Sequence, residues 1–174
     1  HFDATVPSRI EQLIAAPITA AEADRARALQ RLWCDQRLSK VNPPLEAEAP
    51  QEPYVLVVDQ SAGDRSIALG LADASSFRRM LQAALDDHPD CTVVLKVHPD
   101  VISGRAQGHF SGKDLAHPRV RLSADGGHPA TLLEGARAVY VVTSQMGFEA
   151  LLWGRPVHCF GMPFYGGWGL THDR

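Results

Sequence analysis

The chain has 174 residues, a formal net charge of −3, 45% hydrophobic residues and 21% charged ones, enough for one α/β domain with a real core and too few for two large ones. Its slight acidity and the lack of any Lys/Arg cluster exclude nucleic acid as a partner, because phosphate-backbone binding needs a concentrated basic face; a local phosphate pocket stays compatible. No run approaches the ~20 apolar residues that span a bilayer, and Cys34, Cys91 and Cys159 lie far apart without CxxC or Cys/His spacing, so a soluble domain in a reducing compartment, without a metal site, is expected. Starting at His1 and ending on a loop, the chain reads as part of a longer protein.

After Pro7-Ser8 a short amphipathic piece carries Ile10, Leu13 and Ile14 on one face. Thr19 with Glu22 three residues on is a capping box. Ala28, Leu29, Leu32, Trp33 and Leu38 follow at roughly helical spacing, which predicts about five turns before Asn42-Pro43-Pro44 stops them. Residues 42–53, with four prolines and three glutamates, read as an extended linker between an N-terminal helical segment (1–41) and a Rossmann-like domain (54–174). There, short apolar runs alternate with helical patterns: strand 54–58, helix near 75–87, strand 92–97, a long loop, strand 120–122, helix 129–136, strand 139–142, helix 145–153 and strand 157–160. Such alternation predicts an α/β fold with a mostly parallel sheet, whose ligands bind beyond the carboxyl ends of the strands.

Three of those strand ends are polar. The first runs into Asp59-Gln60-Ser61-Ala62-Gly63-Asp64-Arg65-Ser66, the second into Lys96-Val97-His98-Pro99-Asp100, with Lys96 and His98 on one side by strand alternation. The third ends in Thr143-Ser144, before a helix that starts at Gln145 and carries Glu149 about one and a half turns in; its hydroxyls and unpaired backbone N–H groups suit an anion. If the three strands are neighbours, these tips meet in one cleft suited to sugar transfer from a nucleotide. Each feature has a plainer reading. Asp59 and Asp64 serve equally well as helix caps or Asx turns, His98-Pro99 as a turn, Thr143-Ser144 as an N-cap, and Glu149 as a solvated helix residue. Phe164, Tyr165 and Trp168 fit loop packing as well as substrate stacking. His88, His109, His117, His128 and His158 share no spacing and read as surface or packing residues.

The segments DQSAGDRSI (59–67), KVHPDVISGRAQGHF (96–110) and VTSQMGFEALLWGRPVHCFGMPFYGGWGLTHD (142–173) resemble the capsule polysaccharide β-Kdo transferases of the KpsC type, and FDATVPSRIEQLI near the start is similar too. The resemblance implies the nucleotide-binding half of a GT-B-like glycosyltransferase module, with CMP-β-Kdo as donor, a lipid-linked Kdo acceptor on phosphatidylglycerol, and no cofactor. It further implies a cytoplasmic enzyme at the inner-membrane face of a Gram-negative cell, working with the capsule export and assembly machinery, with retention of configuration. Carried over residue by residue, His98 and Pro99 recognise the nucleotide phosphate, Ser144 with Thr143 forms the phosphate turn, with Gln145 next to it counted among the substrate-binding residues, and Asp64, in the Gln-x-x-x-Asp loop opened by Gln60, is the nucleophile. Glu149 for the ribose, and Lys96 or Arg65 for the sugar carboxylate, follow from position alone. Rival expectations are a CMP-sugar-binding fragment that transfers nothing, or another nucleotide-sugar enzyme such as an epimerase, against which stands the lack of GxGxxG after the first strand.

Overall fold

A computed structural model describes residues 3–174. Strands β1 (Tyr54–Val58), β2 (Thr92–Lys96), β3 (Val120–Ser123), β4 (Val139–Val141), β5 (Val157–Cys159) and β6 (His172–Asp173) form one sheet in the order β3-β2-β1-β4-β5-β6, with every pairing parallel. β1 lies at its centre, with all five residues buried, because a Tyr-Val-Leu-Val-Val run has apolar side chains for both faces. Alternation divides them: Val55 and Val57 join Phe77, Met80, Leu95 and Tyr140 on one side, and Leu56 and Val58 join Leu132, Leu133, Val139 and Val141 on the other. Each such side chain contributes about 1.5–3 kcal/mol when fully buried. From β1 the chain winds outward through β2 and β3, then returns to the other flank of β1 as β4. Between β1 and β4 the strand order reverses, leaving a crevice at their carboxyl ends.

The helices are α1 (Arg9–Ala15), α2 (Ala20–Asp35), α3 (Arg65–Leu69), α4 (Ala74–Asp87), α5 (Pro99–Ile102), α6 (Gly112–Leu115), α7 (Ala130–Gly135) and α8 (Met146–Leu152). The capping box of α2 forms as the sequence predicts: Thr19 Oγ1 accepts from Glu22 N–H (3.2 Å) and Glu22 Oε2 from Thr19 N–H (2.8 Å). Its end differs from expectation. α2 stops at Asp35, and Arg37 turns into the left-handed region (φ 50°), so Leu38 lies outside the helix and Asn42-Pro43-Pro44 does not terminate it. In that turn the Arg37 guanidinium donates to Glu46, Glu134 and Thr131, each at 2.8 Å, holding the Glu46 carboxyl down at about 2. Residues beyond it cross the start of α7, where Ala47 is buried and its N–H donates to His128 O (2.9 Å). The short α3, α5 and α6 and the two-residue β6 replace what read as loop.

Candidate functional site

The β1–β4 crevice opens into a cavity of about 730 Å³, lined by the tips of β1, β2 and β4, by Gly126, Gly127 and Pro129 after β3, and by parts of the segments 39–43 and 162–164. Gln60 closes its floor. This side chain, 4% exposed, accepts from Thr143 N–H (2.9 Å) through Oε1 and donates through Nε2 to Thr143 Oγ1 (3.0 Å), Asp64 Oδ2 (3.3 Å) and Ser66 Oγ (3.3 Å). One amide thus joins the loop after β1 to the loop after β4. Asp64 caps α3 by accepting from Ser66 N–H (2.9 Å). Burial works against its charge, but the hydrogen bonds from Ser66 and Gln60 outweigh that, and the carboxyl is held below its ordinary range.

His98 sits across the cleft on the turn after β2. Its Nδ1 accepts from Asp100 N–H (3.1 Å) and lies 3.2 Å from Ser61 Oγ, so in the neutral ring the proton is on Nε2, free to donate. Lys96, 8% exposed, donates from Nζ to Gly127 O (3.2 Å), and burial lowers its ammonium pKa. At β4 the geometry departs from expectation. The Thr143 N–H, expected to face an anion, is already taken by Gln60, as is the Thr143 hydroxyl. Ser144 accepts from Met146 N–H (3.3 Å) through Oγ, while the N-cap position belongs to Gln145, without a side-chain cap. The turn's free donors, among the described residues, are therefore the Ser144 hydroxyl and the Ser144 and Gln145 N–H groups.

Glu149 is not solvated. It is 1% exposed and lines the cavity, with Oε1 accepting from Lys40 N–H (3.3 Å) and Oε2 buried without a partner among the described residues. The aromatic tail divides its labour. Tyr165, 3% exposed, donates its hydroxyl to Ser144 O and packs against Gly147, where a Cβ would lie 2.2 Å from that hydroxyl. Phe164 lines the cavity, and Trp168 donates to Phe164 O (3.1 Å).

Of the expected site residues, Gln60, Asp64, Lys96, His98, Thr143, Ser144, Gln145 and Glu149 border one cavity. Arg65 does not; it is exposed at the first residue of α3, because its neighbour Asp64 turns inward as the cap. Pro99 opens α5 with its backbone, and its side chain lies outside the described part of the structure. Sequence reasoning missed a buried pair behind the site. Asp59 Oδ1 accepts from Gln60 N–H (2.9 Å) and His109 N–H (3.2 Å). The His109 ring lies flat on Phe77 (3.7 Å between centroids) and donates from Nδ1 to Gln60 O (2.9 Å). His109 lies near the end of the 96–110 segment, but its sequence neighbours carried no signal for this pairing. The wall at residues 39–43 also had none.

Residues 9–174 match the family described as capsule polysaccharide biosynthesis protein. The chain belongs to that family. Capsule polysaccharide modification protein LipA of Neisseria meningitidis serogroup B is 44% identical over 100% of this chain and 26% of its own length. Lipopolysaccharide-processing protein LpsZ of Rhizobium meliloti is 35% identical over 100% and 41%. Among solved structures, the KpsC β-Kdo 2,4 transferase of Thermosulfurimonas dismutans superposes with a TM-score of 0.89 at 40% identity, covering 98% of this chain and 55% of that one. The β-Kdo 2,7 transferase of the same organism follows with 0.71 and 28%, covering 98% and 52%. The chain thus spans about a quarter to two fifths of these curated relatives and about half of the solved transferases, and its α/β fold is that of the Kdo transferases. Among the described residues no helix is long and apolar enough to cross a membrane.

Proposed function

We propose that the chain is the donor-binding, GT-B-like half of a retaining β-Kdo transferase, which takes CMP-β-Kdo and adds Kdo to a phosphatidylglycerol-linked Kdo acceptor during capsule linker synthesis at the cytoplasmic face of the inner membrane. The observation that carries this reading is the juxtaposition, in one cavity, of an ionised carboxylate fixed by Ser66 and Gln60 and a histidine whose Nδ1 is already engaged. An Asp64 oxygen attacks the anomeric carbon, and the bond from that carbon to the CMP phosphate breaks with its electron pair on the phosphate. His98 Nε2–H hydrogen-bonds the departing phosphate, and the Ser144 hydroxyl with the Ser144 and Gln145 N–H groups holds it. The acceptor hydroxyl then displaces Asp64 and loses its proton, so two inversions give net retention. Lys96 answers the sugar carboxylate, and Glu149 accepts from the ribose diol. Thr143 and Gln60 hold the loops in register. The stronger likeness to the 2,4 transferase than to the 2,7 transferase favours a 2,4 linkage.

Because the chain spans about half of the solved transferases, it binds the donor alone and transfers only when joined to the remaining half. Calorimetry with CMP on the 174-residue chain and a transfer assay on a protein of full transferase length separate the two steps. In that longer protein Asp64→Asn lowers turnover by about 10³-fold or more and abolishes the Kdo adduct seen by intact mass. Normal turnover by Asp64→Asn sinks the covalent route, and NMR of the product gives the linkage.

A further inference from the structure

Two buried side chains at the back of the cavity have no part in the chemistry above. Asp59, where β1 gives way to its loop, is 3% exposed, and its Oδ1 meets three donors: Gln60 N–H (2.9 Å), His109 N–H (3.2 Å) and His109 Nδ1 (3.3 Å). His109 Nδ1 also lies 2.9 Å from Gln60 O. Both neighbours of that nitrogen are acceptors, so the ring carries its proton there. The Gln60 main chain is therefore gripped at both ends, its N–H by Asp59 and its C=O by His109. The grip is itself braced. The His109 ring lies flat on Phe77 of α4, and the chain passes so close to Asp59 at Gly108 that a Cβ there would overlap Asp59 Oδ2. Among the described residues no lysine or arginine pairs with Asp59, and burying a carboxylate in this way costs free energy that an apolar side chain would not. What the charge supplies is a fixed acceptor for the Gln60 N–H. From this base the Gln60 amide reaches Asp64 Oδ2 (3.3 Å), on the attacking carboxylate of the proposed reaction.

We infer that Asp59 and His109 are positioning residues for the Asp64 carboxylate: they hold the Gln60 main chain so that its side-chain amide keeps Asp64 aimed into the cavity. The inference rests on the sugar-transfer reading above and adds to it two residues that act through Gln60. Neither is needed to keep the loop of His98 in place. His98 retains Ser61 and the Asp100 N–H, and Ala62 N–H retains Gln107 O (2.7 Å), when the His109 side chain is changed. A misplaced Asp64 therefore slows the attack without weakening the hold on the donor, and an error of about half an ångström between reacting atoms is worth about tenfold in rate.

The test is steady-state kinetics with CMP-Kdo on a protein of full transferase length, with melting temperatures measured alongside. His109→Phe keeps a ring on Phe77 and removes the Nδ1–H; His109→Asn removes the ring and keeps an N–H at about the same place. His109→Phe is expected to lower kcat about tenfold or more with the donor KM within about twofold, and His109→Asn to recover most of that kcat although it melts lower, having lost the buried ring. A merely structural role gives the opposite order, with activity following melting temperature. A kcat of His109→Asn at or below that of His109→Phe overturns the inference, as does a raised KM at unchanged kcat. Gly108→Ala pushes the Asp59 carboxylate aside and leaves every hydrogen-bonding group in the chain, so it decides the matter where His109→Asn does not fold: kcat falls about threefold or more at unchanged KM, and a wild-type kcat overturns the inference. A wild-type protein that transfers no Kdo overturns the sugar-transfer reading, and the positioning role with it; a wild type that transfers Kdo beside variants that behave otherwise than stated overturns the positioning role alone.

Discussion

Gln60→Ala removes the amide that ties the loop after β1 to the loop after β4. In the wild type its amide makes five contacts between 2.9 and 3.3 Å, three of them to Thr143, which is 9% exposed. Truncation orphans the Thr143 N–H, at about 1–3 kcal/mol for a buried donor without an acceptor, and leaves a gap where the side chain packed. Water entering from the cavity offsets part of this, so the expected loss is about 2–3 kcal/mol, or about 5–10 °C in Tm for a domain of this size. Scanning calorimetry measures it, and CMP titration of the same protein should show weaker binding because Thr143, which leads into the Ser144 turn, is no longer tied to the loop after β1. Gln60→Glu keeps an acceptor for Thr143 N–H but loses both donors and faces Asp64 with a like charge. It should therefore raise the Asp64 pKa and impair transfer in a full-length protein more than it impairs folding. A Gln60→Ala protein that melts at the wild-type temperature and binds CMP unchanged would refute the reasoning.

Two further outcomes follow from the same geometry. A Cβ at Gly70 would lie 2.4 Å from Thr143 Cγ2 and 2.8 Å from the Ser66 backbone oxygen, so Gly70→Ala should cost about 1–3 kcal/mol in urea unfolding, whereas Gly112→Ala, with nothing within 4 Å, should stay within about 0.5 kcal/mol. Burial, aided by Arg174 and His172, lowers the His158 pKa to about 4. The unfolded chain takes up this proton near its ordinary value of 6.5 and the folded chain does not, so the contribution of His158 to stability is full above that value and shrinks as pH falls toward 4. The loss across that window is about 2–3 kcal/mol. His158→Phe, which keeps the ring on Tyr140 (4.4 Å between centroids), should flatten the urea stability curve between pH 6.5 and 4; an unchanged slope would count against the buried neutral ring.

The strands were legible because β-branched runs such as Tyr54-Val55-Leu56-Val57-Val58 fit only a covered sheet, and their spacing by helical patterns implied parallel order. The meeting of three strand tips followed from that order. What escaped the sequence depends on distant partners. The end of α2 is set by Glu46, Glu134 and Thr131 gathering Arg37, not by the prolines that follow. Glu149 reads as solvated because a helical period says which residues share a face but not what covers it, and here the cover comes from residues 39–43. The exclusion of Arg65 from the cavity has a similar cause, since which of two adjacent residues caps α3 is decided by the Ser66 N–H that Asp64 meets. His109 gave no local sign of lying on Phe77 with its Nδ1–H against Gln60.

The Tyr165 hydroxyl bound to Ser144 O gives the aromatic tail a mechanical meaning. With its ring wedged under Gly147, the tail cannot shift without carrying the Ser144 turn along, so residues 162–164 and that turn travel as one body. On the proposed reading, a ligand seated against Phe164 therefore stiffens the Ser144 turn from a distance. Occupancy at one rim becomes alignment at the other.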